Sequence, residues 1–188
     1  AGYLGGYIMS FSERISKGIE LEKRIFNDLE KMGFHVAING TEHTHPRFVK
    51  NLKNSEDQSS LTIRFQPDGV IAFGDNNKSA YIEIKSSPFI EKLAYTNYKN
   101  ISDGGSIVVL VSENNGVIKF NSIKNLAFKE IKNSRFPIID GWVSPREHED
   151  WQRIKRNGFR GSGTPYKLIN HDAMIDWSKF KELILSIS

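Results

Sequence analysis

The chain has 188 residues, of which 38% are hydrophobic and 26% charged, a composition that suits one compact domain or one domain with a small appendage. Its formal net charge of +4 comes from 26 basic against 22 acidic residues, and this mild excess favours a polyanionic partner without identifying one. The absence of cysteine excludes disulfides and thiolate metal sites, and no apolar run reaches membrane-spanning length. We therefore expect a cytoplasmic protein that does not enter a membrane and whose metal ligands are oxygen or imidazole.

The first predicted element is an amphipathic helix over residues 12–32. Residues 1–8 precede Met9 and lack the pattern of a secretory signal, so we expect them to be a leader or added segment outside the fold. Apolar residues then recur as they do along one face of a helix, at Ile19, Phe26, Leu29 and Met32. Gly33 is placed to end this helix as its C-cap.

Strands are predicted next, at 34–39, at the approach to Pro67 and in a hairpin. Residues 40–60 form a polar excursion between the first two. The hairpin consists of two apolar runs, 65–73 and 80–85, on either side of a Gly/Asp/Asn/Asn cluster that indicates a short turn.

This hairpin brings two carboxylates and one ammonium together. Side chains alternate between the faces of a strand, so Glu83 and Lys85 point to one side, and Asp68 at the start of the partner strand can lie beside them. Such a group can bind a hard divalent cation and also contact a phosphate. A cross-strand ion pair beside a turn aspartate is the alternative. The apolar strands that flank both Pro67-Asp68-Gly69 and Glu83-x-Lys85 favour the functional interpretation.

A further helix and two strands complete the predicted core. The helix covers 88–98 with a proline in its first turn, and the strand 107–111 is continuous and β-branched, as expected when both of its faces are covered. The strand 117–120 returns after a turn, and a helix capped by Ser122 is predicted to run to residue 132. The fold class is therefore α/β, with a mixed central β-sheet flanked by helices.

Residues 134–188 are predicted to form a C-terminal extension packed on the core, which ends in an amphipathic helix over 177–187. Within it, residues 151–167 combine basic, aromatic and glycine residues without an acidic one, as a surface that follows a nucleic-acid strand would. A solvated helix followed by a flexible loop is the alternative. The candidate contacts for a nucleic-acid backbone, including two in the 40–60 segment, are Arg47, Lys50, Arg153, Lys155, Arg156, Arg160 and Lys167.

Two histidines in the polar excursion are candidate zinc ligands. His43 and His45 form a His-x-His pair, but no further clustered His or Cys is present and Pro46 interrupts the segment. A loop that contacts DNA, or a disordered segment, is the favoured interpretation of this stretch.

The hairpin residues resemble a known family. Pro67-Asp68 followed by Glu83-x-Lys85 is similar to the motif of the PD-(D/E)xK nuclease superfamily, which includes type II restriction enzymes, archaeal Holliday-junction resolvases and many repair and phage nucleases. The resemblance covers residues 16–111.

The helix before the hairpin strengthens this resemblance. Residues 17–34 look like the opening helix of the resolvase-type members, with Lys-Gly at the start and Gly-Phe at the end. In that register the family's helix glutamate falls on Glu22, with Glu20 as the competing position. The helix after the Glu-x-Lys strand lacks the glutamine-x-x-x-tyrosine pattern of the exonuclease branch, and we expect its Tyr95 and Tyr98 to pack against the sheet.

The resemblance implies a metal-dependent DNA endonuclease with a restriction-endonuclease-like αβββαβ core over residues 9–133. Asp68, Glu83 and the main-chain carbonyl of Ile84 would bind Mg²⁺ or Mn²⁺, Glu22 would support a second metal position, and Lys85 would be the activating group. Structure-specific cutting of branched DNA is favoured, and a homodimer would be expected for paired cuts. Sequence-specific restriction and a non-catalytic nucleic-acid-binding module of the same fold remain alternatives.

Overall fold

The computed structural model describes residues 11–39, 47, 52, 55, 57–74, 78–159 and 161–187. Residues 1–8, His43, His45, Lys50 and Arg160 lie outside this part of the chain. The described residues contain no helix that is both long and apolar enough to cross a bilayer.

A mixed β-sheet forms the centre of the described fold. Its strands are β1 (His35–Ile38), β2 (Gly69–Phe73), β3 (Lys78–Lys85), β5 (Ile107–Asn114), β6 (Val117–Ser122) and β11 (Ile175–Asp176), in the spatial order β1-β2-β3-β5-β6-β11. Neighbours pair antiparallel except β3 and β5, which are parallel because a helix connects them. The predicted α/β class with a mixed sheet is confirmed.

Helices α1 (Phe11–Lys31) and α5 (Phe180–Ser186) cover one face of this sheet. The side chains of Leu21, Ile25 and Leu29 follow one another at intervals of four, so they form a stripe that is buried against Ile71, Ile82 and other apolar side chains of β2 and β3. The predicted helix is confirmed, and Gly33 follows it with a φ of +94°. Ile19 and Met32 are only half-buried, because Leu21 and Ile25 occupy the centre of the stripe.

Helix α3 (Lys92–Asp103) covers the opposite face. Its Ala94 and Tyr98 are buried against Val108 and Leu110 of β5, while the alternate β5 residues face α1. Tyr95 packs edge-on against Phe128. The prediction that both tyrosines pack this helix against the rest of the fold is confirmed.

A second, smaller sheet packs beside α3. It contains β4 (Phe89–Glu91), β7 (Phe128–Lys129), β8 (Ile138–Ile139), β9 (Trp142–Val143) and β10 (Tyr166–Ile169), and α4 (Trp151–Arg156) lies in the chain between β9 and β10. Strand β10 pairs with β4, β7 and β9. Residues after 134 also contribute β11 to the central sheet and Phe180 to its core, so the extension is structurally continuous with the rest.

The segment before Pro67 differs from its prediction. A strand was expected, but residues Gln58–Arg64 form a helix, α2. Asp57 begins it, because its carboxylate accepts hydrogen bonds from the main-chain N–H and the hydroxyl of Ser60. A hydrogen bond from the hydroxyl of Ser55, followed by the two bonds from Ser60, holds the pKa of Asp57 below its usual range.

Two predicted helices also differ from their predictions, one in where it begins and the other in its length. The helix expected from Pro88 begins only at Lys92, because residues 89–91 are held as strand β4 by β10. The helix expected from Ser122 to residue 132 is a single 3-10 turn, after which Phe128 pairs with β10 instead. In both places a strand from the C-terminal part of the chain overrides the local helix signal.

Candidate active site

A cavity of about 310 Å³ opens where the end of β3 meets the start of β2, α1 and α3. Four acidic and two basic side chains line it together with polar and apolar ones. The lining residues are Glu22, Arg64, Phe65, Gln66, Asp68, Glu83, Ile84, Lys85, Glu91, Ala94 and Tyr98. The structure thus brings together Asp68, Glu83, Lys85 and Glu22, four of the residues that the sequence singled out.

Asp68 accepts hydrogen bonds from main-chain N–H groups of two neighbouring segments, one just after β1 and one in β3. Its own carbonyl accepts a hydrogen bond from the N–H of Asn39 at 2.8 Å, just after β1. Its carboxylate atom Oδ2 accepts one from the N–H of Ile84 in β3 at 2.7 Å. The carbonyl of Phe65 accepts a third bond from the buried amide of Asn97 in α3 at 2.9 Å. The segment that carries Asp68 is therefore fixed to β1, β3 and α3.

Gly69→Ala is expected to lower the free energy of unfolding by about 2 kcal/mol. A Cβ at Gly69 would lie 2.7 Å from a ring carbon of Phe26 and 2.9 Å from the carbonyl oxygen of Ala37, so the Phe26 ring and the main chain of β1 would both have to move. Chemical denaturation measures the change. Gly18→Ala in α1 is the matched control, because a Cβ there meets nothing within 4 Å, and it should be neutral or stabilising. Equal stability of the two variants would contradict the close packing of α1 on β2.

Glu83 and Lys85 form an ion pair inside the cavity. They lie two positions apart on β3 and so share a face, and the Nζ of Lys85 is 2.5 Å from the Oε1 of Glu83. The Glu83 residue is only 3% exposed, and its second carboxylate oxygen, Oε2, is buried without a hydrogen-bond partner. A buried carboxylate oxygen without a partner is costly, which makes this atom a candidate ligand for a cation.

The charges in the cavity act strongly on Asp68 and Lys85. Burial, followed by the negative charge of Glu83, raises the pKa of Asp68 to about 8, and the opposing effects of Lys85 and the Ile84 N–H offset only part of this rise. Burial lowers the pKa of Lys85, but the carboxylates of Glu83 and Asp68 outweigh it and hold that pKa above its usual value. Lys85 therefore stays protonated at neutral pH, while Asp68 would ionise more readily if a further cation were close.

The two carboxylates fit a hard divalent cation. Among the described residues, no three or more His, Asp or Glu side chains are grouped closely enough to bind a metal by themselves. Mg²⁺ is commonly held by one or two carboxylates together with water and substrate phosphates, so Asp68 and the unpartnered oxygen of Glu83 are sufficient protein donors. Glu22 lines the same cavity and its charge contributes to the raised pKa of Asp68, but its role as a ligand stays a prediction.

Two charged residues of the cavity were missed at the level of sequence. Glu91 in β4 lines it and adds to the positive shift in the pKa of Lys85. Arg64 also lines it, with one guanidinium nitrogen 3.0 Å from the carbonyl oxygen of Ser55 and its Cζ 5.2 Å from the centre of the Phe65 ring. Arg64 lies only three residues before Pro67, so its closeness in sequence to Asp68 could have suggested a place in the cavity. The position of Glu91 could not be predicted, because it depends on β4 being a strand.

None of the predicted nucleic-acid contacts that the structure describes lines this cavity. In α4, the guanidinium of Arg153 is 2.6 Å from the carboxylate of Asp150, and Lys155 and Arg156 are exposed. Arg47 is exposed as well. Lys167 is half-buried, with its Nζ 4.5 Å from the ring centre of Trp142, so its charge is already engaged by an aromatic side chain.

No protein-family model matches this chain, and no curated protein sequence matches it either. The interpretation of the cavity therefore depends on the side chains and contacts just described.

Proposed function

We propose that this protein is a divalent-metal-dependent deoxyribonuclease that hydrolyses phosphodiester bonds, with a fold of the restriction-endonuclease-like, PD-(D/E)xK type. The observation that carries the proposal is the convergence of Asp68, Glu83 and Lys85 on one cavity, where one carboxylate oxygen of Glu83 has no partner. The order α1, β1, β2, β3, α3, β5 is compatible with that fold, with α2 and β4 as additions.

Asp68, Glu83 and the main-chain carbonyl of Ile84 are the groups that would hold Mg²⁺ or Mn²⁺. When bound, such an ion lowers the pKa of a coordinated water and screens the charge of a phosphate. The chain itself contributes a fixed carboxylate geometry, since Asp68 is anchored by Ile84 and Asn39. Its four acidic cavity residues outnumber the two basic ones, so a phosphate group would be repelled unless a cation accompanied it.

Lys85 supplies positive charge where negative charge builds on the phosphate during attack. Its raised pKa keeps it protonated, and its ion pair with Glu83 fixes the position of the ammonium on β3. A preorganised ammonium of this kind stabilises the transition state more than the ground state, because the charge it contacts increases during the reaction.

DNA is the favoured substrate because the chain carries a net charge of +4 and because exposed basic residues are clustered on α4. The resolvase-like helix favours branched DNA over a specific base sequence. Simultaneous cutting of both strands would use two copies of the cavity, so a homodimer is expected for paired cuts.

A comparison of substrates tests the proposal. Supercoiled plasmid, linear duplex, single-stranded DNA and a synthetic four-way junction would be incubated with the protein and Mg²⁺ or Mn²⁺, and again with EDTA. Glu83→Gln is the test variant, because it keeps the size of the side chain and removes the charge. Asp172→Asn is the matched control, because its carboxylate pairs with Lys129 outside the cavity.

Metal-dependent cutting that Glu83→Gln abolishes and Asp172→Asn retains is the expected result. Preferred cutting of the junction would favour the resolvase-like activity, and fixed fragments from linear duplex would instead indicate sequence-specific restriction. DNA binding without cutting by the wild-type protein under any of these conditions would overturn the nuclease and leave a non-catalytic nucleic-acid-binding module.

A further inference from the structure

A second cavity, of about 440 Å³, adjoins the candidate active site. We refer to it as the aromatic cavity, because Phe89, Phe159 and Tyr166 line it. Glu91 lines both this cavity and the candidate active site, so the two are neighbours on the surface.

The pairing of β4 with β10 places these side chains on one face of the small sheet. Tyr166 lies opposite Glu91, and Phe89 is two positions from Glu91, so all three project to the same side. Ile90 projects to the other side, where it is buried against α3. The rings of Phe89 and Tyr166 meet edge to face with centres 5.6 Å apart, yet Phe89 remains 46% exposed. This is a preformed aromatic surface with one ring open to solvent.

The remaining wall of the aromatic cavity is a fixed loop with hydroxyl groups. Gly163 packs so tightly on the Trp151 ring that a Cβ would lie 2.5 Å from it. The carbonyl of Ser162 accepts a hydrogen bond from the guanidinium of Arg146 at 3.0 Å, and the hydroxyls of Ser162 and Thr164 are 2.7 Å apart. The loop is therefore held in place and presents polar groups beside the aromatic rings.

The surface continues from the aromatic cavity to basic residues. Phe159 lines both the aromatic cavity and a third one, of about 590 Å³, which Arg135 and Arg153 also line. A path thus runs from the carboxylates of the candidate active site, past the exposed ring of Phe89, to the guanidinium groups of Arg135 and Arg153, of which the second also pairs with the exposed carboxylate of Asp150. This order of groups is complementary to a strand in which a base is stacked on an aromatic ring and the following phosphates contact arginine.

We propose that the aromatic cavity binds one unpaired nucleobase next to the phosphate being cut. The inference deepens the proposed nuclease function and assigns its substrate class: DNA with a single-stranded segment beside the cleavage position. The base stacks on Phe89, which any of the four bases can do, and the carboxylate of Glu91 accepts a hydrogen bond from an exocyclic amine where the base has one. A continuous duplex keeps its bases stacked on each other and does not fill the cavity.

A fluorescent base tests this assignment without any cutting. A short single-stranded oligonucleotide that contains one 2-aminopurine would be titrated with Ca²⁺ in place of Mg²⁺, so that a divalent cation accompanies the phosphates, against the wild-type protein, Phe89→Leu, Phe89→Tyr and Leu185→Ala. Phe89→Leu keeps an apolar side chain but removes the ring, and Phe89→Tyr keeps the ring. Leu185→Ala is the matched control, because Leu185 lies on α5 and is 45% exposed.

Wild type, Phe89→Tyr and Leu185→Ala are expected to quench the fluorescence of the base, whereas Phe89→Leu should bind the oligonucleotide about 5-fold to 100-fold more weakly and quench less. With Mg²⁺, the wild-type protein should cut a splayed duplex faster than a continuous one, and Phe89→Leu should lose this preference. Thermal denaturation of each variant would establish that it is folded.

The two proposals fail in different ways. Equal quenching by the wild-type protein and Phe89→Leu, together with metal-dependent cutting that shows no preference for splayed DNA, would overturn the base-binding cavity and leave the nuclease intact. Quenching that depends on the ring of Phe89, with no cutting of any substrate, would support the base-binding cavity and overturn the nuclease.

Discussion

Lys85→Ala is expected to lower the rate of DNA cutting by about 100-fold or more while divalent-metal binding persists. The variant removes the ammonium that lies 2.5 Å from Glu83 but keeps both carboxylates that would hold the metal. The loss should therefore fall on the turnover number and not on the metal concentration at half-maximal activity. Single-turnover cutting assays over a range of Mg²⁺ concentrations would separate the two quantities, and isothermal titration calorimetry would measure metal binding directly.

The control for this variant is another lysine in an ion pair. Lys129→Ala removes the ammonium that is 3.0 Å from Asp172, a pair that does not line the cavity. This control should cut DNA at the wild-type rate. Full turnover by Lys85→Ala would exclude the activating role of Lys85, and parallel losses in both variants would point to a general effect of lost positive charge on DNA binding.

Asp68→Asn is expected to abolish metal-dependent cutting and, in the absence of metal, to stabilise the fold by about 2 kcal/mol or more at pH 8. An amide oxygen can still accept the hydrogen bond from the Ile84 N–H, so the local geometry is kept. The substitution removes a carboxylate whose ionised form is destabilised by burial and by the negative charge of Glu83. The wild-type Asp68 would thus lower the stability of the fold in return for activity, as buried catalytic charges commonly do.

The pH dependence of stability shows whether Asp68→Asn gains stability by losing an ionisable group or only by a change in side-chain packing. The pKa of Asp68 is about 8 in the folded state against an ordinary value of 3.8, so the folded protein holds this proton more tightly than the unfolded chain does. Asp68 therefore causes the metal-free protein to lose stability as pH rises from about 4 to about 8, and the loss levels off above that. Asp68→Asn should remove this decline, so the stability difference between the variant and the wild type should grow over that range. Denaturant titrations at several pH values would show it, and a difference that is constant with pH would contradict the raised pKa.

The same proton must leave when a metal binds. The affinity of the wild-type protein for Mg²⁺ should therefore rise by up to about tenfold per pH unit below pH 8 and become constant above it. Calorimetric titrations in buffers with different ionisation enthalpies would count the released protons.

The parts of this fold that could be predicted from sequence depend on local pattern. Helix α1 has apolar residues at helical spacing and a glycine after its end, and β5 is a short β-branched run. The placing of Glu83 and Lys85 on one face follows from the alternation of a strand alone. For this reason the sequence alone predicts that Glu83 and Lys85 lie side by side in the candidate site.

The parts that could not be predicted depend on residues far away in the chain. Phe89–Glu91 follows a proline and would fit the first turn of a helix, but Tyr166–Ile169 pairs with it and makes it a strand. The segment after Ser122 is drawn into β7 by the same partner strand. Glu91 and the aromatic cavity both depend on this pairing, so no local pattern could have revealed them. The surroundings of Lys167 were likewise not predictable from local sequence, since its ammonium lies over the rings of Trp142 and Phe128, which come from other strands of the small sheet.

Phe180 has a consequence for the order in which this protein can fold during synthesis. Its ring is fully buried, with the rings of Phe34, Phe120 and Trp177 at centre distances of 5.8, 5.1 and 4.7 Å. A nascent chain that ends at β6 therefore exposes the rings of Phe34 and Phe120 and the outer edge of β6. An exposed strand edge of this kind can pair with another chain. The hairpin with Asp68 and Glu83 leaves the ribosome early. The apolar core on which it packs is complete only when residues 175–184, which form β11 and the first part of α5, have emerged. Contacts of such long sequence separation slow folding, and we expect the arrangement of Asp68, Glu83 and Lys85 to form in a late step, after the C-terminal helix has docked.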